Sequence, residues 1–65
     1  MSARNKEEGQ VRIDCDSFYQ TAKAIRVNID TVGEVWFPLS TVHQIHPHDE
    51  YIVVDAWKAK ELGLA

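Results

Sequence analysis

The sequence predicts a mainly β (α+β) fold: a small curled antiparallel sheet or half-barrel of about four strands with a short C-terminal helix. Apolar and polar residues alternate along several short segments, which is the period of a half-buried strand. Turn-forming residues separate two of these segments. One segment near the C-terminus has helical composition between two capping residues, and it predicts the helix.

The chain is short enough to form a single domain. It has 65 residues, and a domain of this size buries only about 60% of the surface that its unfolded chain exposes. A deep active-site cleft is therefore not expected. The first ten residues have no apolar periodicity. We predict a flexible N-terminal tail over residues 1–10 and a single barrel-like domain over residues 11–65.

The first predicted strand is VRIDCD, in which apolar and charged residues alternate without a break. Val11, Ile13 and Cys15 fall on one face, which predicts that this face packs on the core. Nucleophilic catalysis by a thiol needs a base beside it. The position of Cys15 on the apolar face instead favours a small buried hydrophobic residue. It is the only cysteine, so an internal disulfide is excluded.

A β-hairpin is predicted over about residues 22–37. Its first strand, AKAIRVNID, alternates like VRIDCD, with Ile25, Val27 and Ile29 facing inward. The turn DTVG follows, in which Gly33 can adopt a positive φ. EVWFP then returns as the second strand, and Pro38, which lacks a backbone donor, ends it.

The remaining residues are predicted to form a helical turn, a polar loop, a strand and the helix. Ser40 is placed to cap one helical turn over TVHQI, with Val42 and Ile45 against the core. EYIVVD is strongly β-prone and predicts the last strand.

The C-terminal helix is predicted over AWKAKEL. Asp55 occupies its N-cap position, and Gly63 occupies the position of a left-handed C-terminal cap. Two turns of helix would place Trp57 and Leu62 on the sheet.

The net charge of the chain is −3, and the acidic excess belongs to residues 11–65 because the charges of the tail cancel. Nucleic-acid-binding proteins draw much of their affinity from clustered Lys and Arg residues, and the sequence has no such cluster. No apolar run approaches the length of a membrane span, and the N-terminus lacks the apolar stretch of a signal peptide. We therefore expect a cytoplasmic protein with no membrane partner.

All three histidines, His43, His46 and His48, lie within six positions and precede Asp49 and Glu50. Imidazoles and carboxylates are zinc ligands, but structural zinc sites of small domains usually also use several cysteines. A solvated loop is therefore the favoured interpretation, and no metal or cofactor is predicted. Whether this loop contacts a metal or a partner is left open by the sequence.

Two segments, KAIRVNIDTVGEVWFPLSTV and YIVVDAWKAKELGL, share a pattern with known proteins. The pattern is Lys-Ala-Ile, a hydrophobic strand, Glu-Val-Trp-x-Pro-x-Ser, a variable polar loop, a strand, and a Trp followed by Gly-Leu. The chain thereby resembles a group of small phage- and prophage-encoded proteins over about residues 22–64. The matching residues are Lys23, Ala24, Ile25, Glu34, Val35, Trp36, Pro38, Ser40, Trp57, Ala59, Gly63 and Leu64.

The chain departs from this group in two places: DTVGEV lengthens the hairpin turn, and Asp55 and Ala56 stand where the group tends to have Pro and Glu. The resemblance implies a phage or mobile-element setting, and hence the cytoplasm of a host bacterium. Small proteins from such settings often bind and block a host defence or replication machine, anti-CRISPR proteins among them. The partner implied in this way is a host protein or nucleoprotein complex.

The first hypothesis for function is a non-enzymatic interaction module that binds a protein partner and inhibits a host nucleic-acid defence or processing machine. Trp36 enters this hypothesis because burial of Val35 and Phe37 would expose it, whereas the opposite arrangement would make it cover the open end of the barrel. No catalytic residue is predicted, since Ser40 lacks the GxSxG context of a nucleophile. The predicted partner-binding residues are Asp14, Asp16, Asp30, Glu34 and Trp36.

The alternative hypothesis is a small barrel that binds single-stranded nucleic acid in phage DNA metabolism. Bases would stack on Trp36, Phe18 or Tyr19, as on the aromatic platforms of single-strand binders. The phosphates would meet the basic residues Lys23, Arg26, Arg4 and Lys6. Separately, an exposed edge strand such as VRIDCD permits pairing with a second copy of the chain, so a homodimer is left open.

Overall fold

The computed structural model describes residues 9–64, and within them it contains six β-strands and one α-helix. The predicted mainly β fold with a short C-terminal helix is confirmed, with six strands in place of about four. The predicted tail lies outside the described residues except for Gly9 and Gln10, and Gln10 already belongs to the first strand. The elements are β1 (Gln10–Asp14), β2 (Asp16–Gln20), β3 (Ala24–Ile29), β4 (Gly33–Pro38), a 3-10 helix (Leu39–Thr41), β5 (Val42–His46), β6 (Tyr51–Asp55) and α1 (Ala56–Glu61).

The strands form two antiparallel three-stranded sheets, which we call sheet A and sheet B. Sheet A has the order β1-β6-β5 and sheet B the order β2-β3-β4, so the described strands do not close into a barrel. Only Cys15 separates β1 from β2. Ser17 has a φ of 55°, and the pairing of β2 with β3 shifts between Asp16 and Tyr19. The bend and the bulge let one continuous stretch of chain serve both sheets.

The apolar core is contributed by both sheets and by one helical residue. The alternation along β3 is confirmed, since Ile25, Val27 and Ile29 are all buried. In β1, Ile13 is buried and Val11 packs partly buried against the core. Among the described residues, the buried cluster consists of Ile13, Cys15, Ile25, Val27, Ile29, Val35, Phe37, Ile52, Val54 and Ala59.

The hairpin of β3 and β4 is confirmed, and its register decides which face of β4 is exposed. Gly33 begins the return strand with a φ of 99°, as the turn prediction requires. Val35 and Phe37 are buried, whereas Trp36 is 48% exposed. The choice that the sequence left open is therefore settled in favour of an exposed Trp36.

Two strands were missed because bulges interrupt their alternation. The segment DSFYQ, for which no strand was predicted, is β2. The helical turn predicted over TVHQI is also wrong, because Val42–His46 is strand β5 paired with β6. This pairing shifts between Val42 and Gln44, which removes the period of two that marks a strand.

Ser40 does not cap a helix. It lies inside the 3-10 helix Leu39–Thr41, which begins without any side-chain cap. The side chain that bonds here is Thr41, whose hydroxyl donates to the carbonyl oxygen of Pro38 over 2.7 Å. Val42 and Ile45 do pack partly buried against the core, as predicted, but they do so from a strand. Pairing with β6 satisfies the backbone of β5, which one isolated helical turn could not do.

The C-terminal end of α1 confirms the predicted cap. Gly63 has a φ of 78°, and its N–H donates to the carbonyl of Lys60 over 3.0 Å. The N–H of Leu64 donates to the carbonyl of Ala59 over 2.7 Å. This pair of bonds is a Schellman motif, which satisfies carbonyls that the helix leaves free.

The predicted burial of Trp57 is wrong, since this side chain is 59% exposed. Ala59 is the buried residue of the helix, and Leu62 packs partly buried against the core. Trp57 precedes Ala59 by two positions, which corresponds to about 200° around a helix, whereas Leu62 is about 60° from Ala59. With Ala59 on the core, Trp57 must therefore face solvent.

Candidate protein-binding site

Three side chains form a row across the outer side of sheet B. Tyr19 on β2 lies opposite Arg26 on β3, and Arg26 lies opposite Trp36 on β4. Directly opposed residues of antiparallel strands project on the same face of a sheet. We call these residues, Tyr19, Arg26 and Trp36, the aromatic face.

The members of the aromatic face contact one another. The rings of Tyr19 and Trp36 make an edge-to-face contact with centroids 6.4 Å apart and planes at 90°. The guanidinium carbon of Arg26 lies 5.0 Å from the Tyr19 centroid and 6.0 Å from the Trp36 centroid. These cation–π contacts place the guanidinium of Arg26 beside both rings, which also touch each other.

Despite these contacts, the aromatic face is open to solvent. Tyr19 is 53% exposed and Trp36 is 48% exposed. Within residues 9–64, Arg26 forms no ion pair with a carboxylate. The row therefore offers two large apolar surfaces and a guanidinium whose donors remain available to a ligand.

The neighbouring row of sheet B is polar and acidic. Asp16, Asn28 and Glu34 lie opposite one another on β2, β3 and β4. The side-chain amide of Asn28 donates to a carboxylate oxygen of Asp16 over 3.1 Å, which fixes both side chains. Glu34 is exposed. The predicted residues Glu34 and Trp36 thus lie side by side on one face, two positions apart along β4.

The other predicted acidic residues meet at one end of the domain. Asp14, Asp16 and Asp30 line an open cleft of about 300 Å³ together with Glu50, which was not predicted. We call these four residues the acidic end. Asp16 belongs to both surfaces, so the acidic end is continuous with the outer side of sheet B.

Glu50 joins the acidic end because of strand pairing. The backbone N–H of Cys15 donates to the carbonyl of Glu50 over 3.0 Å, and Asp14 lies opposite Tyr51. Glu50 also has a φ of 60°, so it turns the chain immediately before β6. A sequence signal existed: Glu50 is the first residue of EYIVVD, the last predicted strand. The partner of that strand, however, could not be read from the sequence.

Cys15 lies at the base of the cleft and is buried. Its burial, with the nearby carboxylates of Asp16, Asp14 and Glu50, raises the pKa of the thiol from 9.0 to about 11. Both causes disfavour the thiolate, which is the nucleophilic form. The prediction that Cys15 is a small buried residue is confirmed.

The outer side of sheet A differs from sheet B because its polar groups pair with one another. Nε of Arg12 lies 3.1 Å from a carboxylate oxygen of Asp14, and its guanidinium carbon lies 4.1 Å from the centroid of Tyr51. His46 stacks on the same Tyr51 ring, with centroids 4.5 Å apart. Nε2 of His46 also lies 2.9 Å from the side-chain oxygen of Gln44.

The histidines do not form one loop as the sequence suggested. His43 and His46 belong to β5, and only His48 lies in the turn before β6. Nε2 of His43 lies 2.7 Å from Oδ1 of Asp55, so the Asp55 side chain bonds this histidine and makes no cap bond to α1. Within residues 9–64, no three His, Cys, Asp or Glu side chains converge in a way that would hold a metal ion.

The residues of the alternative hypothesis are only partly brought together. Tyr19, Arg26 and Trp36 share one face, and Lys23 lies exposed between β2 and β3. Phe18 instead packs partly buried against the core. The remaining two basic residues, Arg4 and Lys6, lie outside the described residues.

These features define a small two-sheet β domain with an exposed aromatic face beside an acidic end. Among the described residues, no helix is long and apolar enough to cross a membrane. Comparison with protein-family models, with curated proteins and with solved structures finds no match. The resemblance to phage-encoded proteins therefore stays a prediction.

Proposed function

We propose that this chain is a non-enzymatic binding module that recognises a protein partner through the aromatic face. The observation that carries the proposal is the exposed row of Tyr19, Arg26 and Trp36. Both rings contact a guanidinium that has no carboxylate partner among residues 9–64. Trp, Tyr and Arg are the residue types that most often dominate the binding energy of protein interfaces.

The contacts within the row also favour binding. Ordering a free side chain at an interface costs about 0.5–1.5 kcal/mol. The edge-to-face contact of Tyr19 with Trp36 and the contacts of Arg26 with both rings reduce this cost, because the three side chains already restrain one another. A partner that covers the row gains apolar burial and can bond the guanidinium of Arg26.

The acidic end suggests the chemistry of the rest of the partner. The acidic end reaches the outer side of sheet B through Asp16, which lies in the row next to the aromatic face. A partner with basic groups next to an apolar contact would therefore be complementary. Such complementarity speeds association. With the mobile-element setting implied by the resemblance, we propose a basic surface of a host nucleic-acid defence or processing machine, met in the cytoplasm of a bacterium and inhibited by binding.

A covalent catalytic role for Cys15 is not part of the proposal. The raised pKa keeps its thiol protonated near neutral pH, and protonated thiols are poor nucleophiles.

The proposal is tested by capture of a partner from host lysate with the tagged chain and with two tryptophan variants. Trp36→Ala removes a member of the aromatic face, whereas Trp57→Ala removes a tryptophan of similar exposure on α1. Loss of a central hot-spot residue typically weakens binding by about 2 kcal/mol or more, or about 30-fold in Kd. We expect Trp36→Ala to lose the partner and Trp57→Ala to retain it. Equal retention by both variants would refute the aromatic face as the binding site.

Single-stranded nucleic acid remains a second candidate ligand, favoured by the same rings and by Arg26, since bases stack on aromatic side chains beside basic residues. The adjacent carboxylates of Asp16 and Glu34 would repel a phosphate backbone, which is why we place this candidate second. Titration of a labelled oligonucleotide at low salt separates the two. Binding at about micromolar Kd or tighter, lost in Trp36→Ala and weakened by salt, would replace the protein-binding proposal.

A further inference from the structure

The four edge strands of the two sheets are not equally able to pair with another strand. β2 contains the bulge at Ser17, β5 contains the bulge between Val42 and Gln44, and β4 ends in Pro38. Bulges and proline are the usual devices that keep an edge strand from pairing. β1 has neither, and it pairs with β6 over five consecutive residues without a shift in register. Among the described strands, β1 is therefore the intact edge.

The backbone groups of β1 that do not bond to β6 can be deduced from its bonds to that strand. The N–H of Cys15 donates to the carbonyl of Glu50, and the carbonyl of Gly9 accepts from the N–H of Ala56. In an antiparallel pair, alternate residues direct both backbone groups to the same neighbour. The odd-numbered residues of β1 thus bond to β6. The even-numbered residues, which direct their N–H and C=O groups away from the sheet, are Gln10, Arg12 and Asp14.

We propose that a second copy of this chain occupies the edge of β1, with the two β1 strands antiparallel about a two-fold axis at Ile13. In this register Arg12 of each copy lies directly opposite Asp14 of the other, on the outer side of sheet A. Opposite charges at directly opposed positions stabilise strand pairs. The two copies of sheet A then form one continuous six-stranded sheet, and the contact is closed because it is self-complementary.

Charge selects this register over its neighbours. Backbone bonding requires even-numbered residues to face even-numbered residues, so the axis moves along the strand in single-residue steps. An axis at Arg12 would oppose two guanidinium groups, and an axis at Asp14 would oppose two carboxylates. The axis at Ile13 instead forms the Arg12–Asp14 pair twice.

The surroundings of β1 provide surface for the second copy to cover. A cleft of about 230 Å³ runs beside the strand, with an apolar part formed by Ile13, Ile29, Val32 and Leu64. Val32 is 51% exposed, so its side chain provides apolar surface at this cleft. The existing bond from Arg12 to Asp14 of the same copy joins side chains that are 62% and 81% exposed. Such an exposed pair is weak and exchanges readily for a pair between copies.

Sedimentation equilibrium of the full-length chain with charge-reversal variants tests the proposal. We expect the wild-type chain to approach twice its monomer mass as its concentration rises toward about 1 mM. Arg12→Asp and Asp14→Arg should each stay monomeric, because each places like charges opposite one another. An equimolar mixture of the two variants should regain the doubled mass, because each Arg12→Asp chain then faces Asp14→Arg chains with opposite charges at both positions.

The wild-type chain, the single variants and the mixture together test the register, because only the Arg12–Asp14 pairing favours the wild-type dimer and opposes both variant dimers. If the wild-type chain stays monomeric throughout, or if the variants remain as dimeric as the wild type, the proposal is wrong. A far-ultraviolet circular dichroism spectrum that matches the wild-type spectrum shows that a variant is folded. A mixture of folded variants that stays monomeric also overturns the Arg12–Asp14 register. Arg26→Asp, which changes the aromatic face, is the matched control. This variant should reach the same mass as the wild-type chain at the same concentration.

Discussion

At the scale of single residues, environment sets chemistry more than residue type does. By residue type alone, Cys15 could be a nucleophile and Trp36 could be a partner contact. Burial among carboxylates suppresses the reactivity of Cys15, whereas the register of β4 exposes Trp36. The thiol of Cys15 therefore packs in the core, and the indole of Trp36 is exposed on the surface.

The raised pKa of Cys15 predicts a loss of stability at high pH. The unfolded thiol releases its proton near pH 9.0, whereas the folded thiol holds it until about pH 11. Its stabilising contribution is therefore fully present below pH 9.0 and is lost as the pH rises to about 11. In urea titrations over this range, the free energy of unfolding of the wild-type chain should fall more steeply than that of Cys15→Ala.

The difference between the two slopes is the quantity to compare. Cys15→Ala also lowers stability at every pH through lost packing, and other groups of the chain titrate equally in both proteins. Parallel slopes for the two proteins would show that the thiol does not titrate differently in the folded and unfolded states.

At the scale of elements, local sequence signals determine where the chain turns. Pairing with other strands determines the secondary structure of the segments between the turns. The end of α1 follows from Gly63 alone, because the left-handed backbone of a Schellman motif favours glycine. The segment VHQIH behaves differently. Its own pattern fits a helical turn, but β6 lies beside it and pairs with it.

Gly63→Ala is expected to lower stability through the backbone rather than through a clash. An added Cβ would meet no atom within 4 Å, but the φ of 78° is strained for any residue with a side chain. The expected loss is about 1 kcal/mol, measured as a lower denaturant midpoint. Lys60→Ala, an exposed change in the same helical turn, should alter stability by no more than about 0.5 kcal/mol. Equal effects of the two changes would argue against a strained cap.

At the scale of the whole molecule, the two sheets present outer sides with different properties. The polar groups of sheet A pair within the sheet, through Arg12 with Asp14 and His43 with Asp55. Sheet B leaves its aromatic face exposed. We therefore assign partner recognition to the outer side of sheet B and self-association to the edge of sheet A, so the two proposals can fail independently.

Self-association predicts that the melting temperature depends on protein concentration. Pairing of folded chains stabilises them by mass action, so the melting temperature of the wild-type chain should rise as the concentration increases. Arg12→Asp should melt at a temperature that does not change with concentration. Differential scanning calorimetry over a series of dilutions measures both, and a constant melting temperature for the wild-type chain would contradict pairing.

The sequence predicted β1, β3, β4, β6 and α1 because each carries a complete local signal, either an unbroken alternation or a pair of caps. It missed β2 and β5 because a bulge at Ser17 and another after Val42 shift the alternation within each strand. It named Asp14, Asp16 and Asp30 as outward residues, and these do converge. It could not foresee Glu50 among them, because that depends on which strand lies beside β1.

The sequence by itself thus determined the β-rich class, the burial of Cys15 and the positions where the hairpin and the helix end, all of which depend on residues close together in the chain. The tertiary structure decided that Trp36 faces solvent, that Trp57 is not in the core, and that Arg26 contacts both Tyr19 and Trp36. These outcomes depend on strand register and on which helical face the core accepts. Both are set by pairings between distant segments, which no short stretch of sequence encodes.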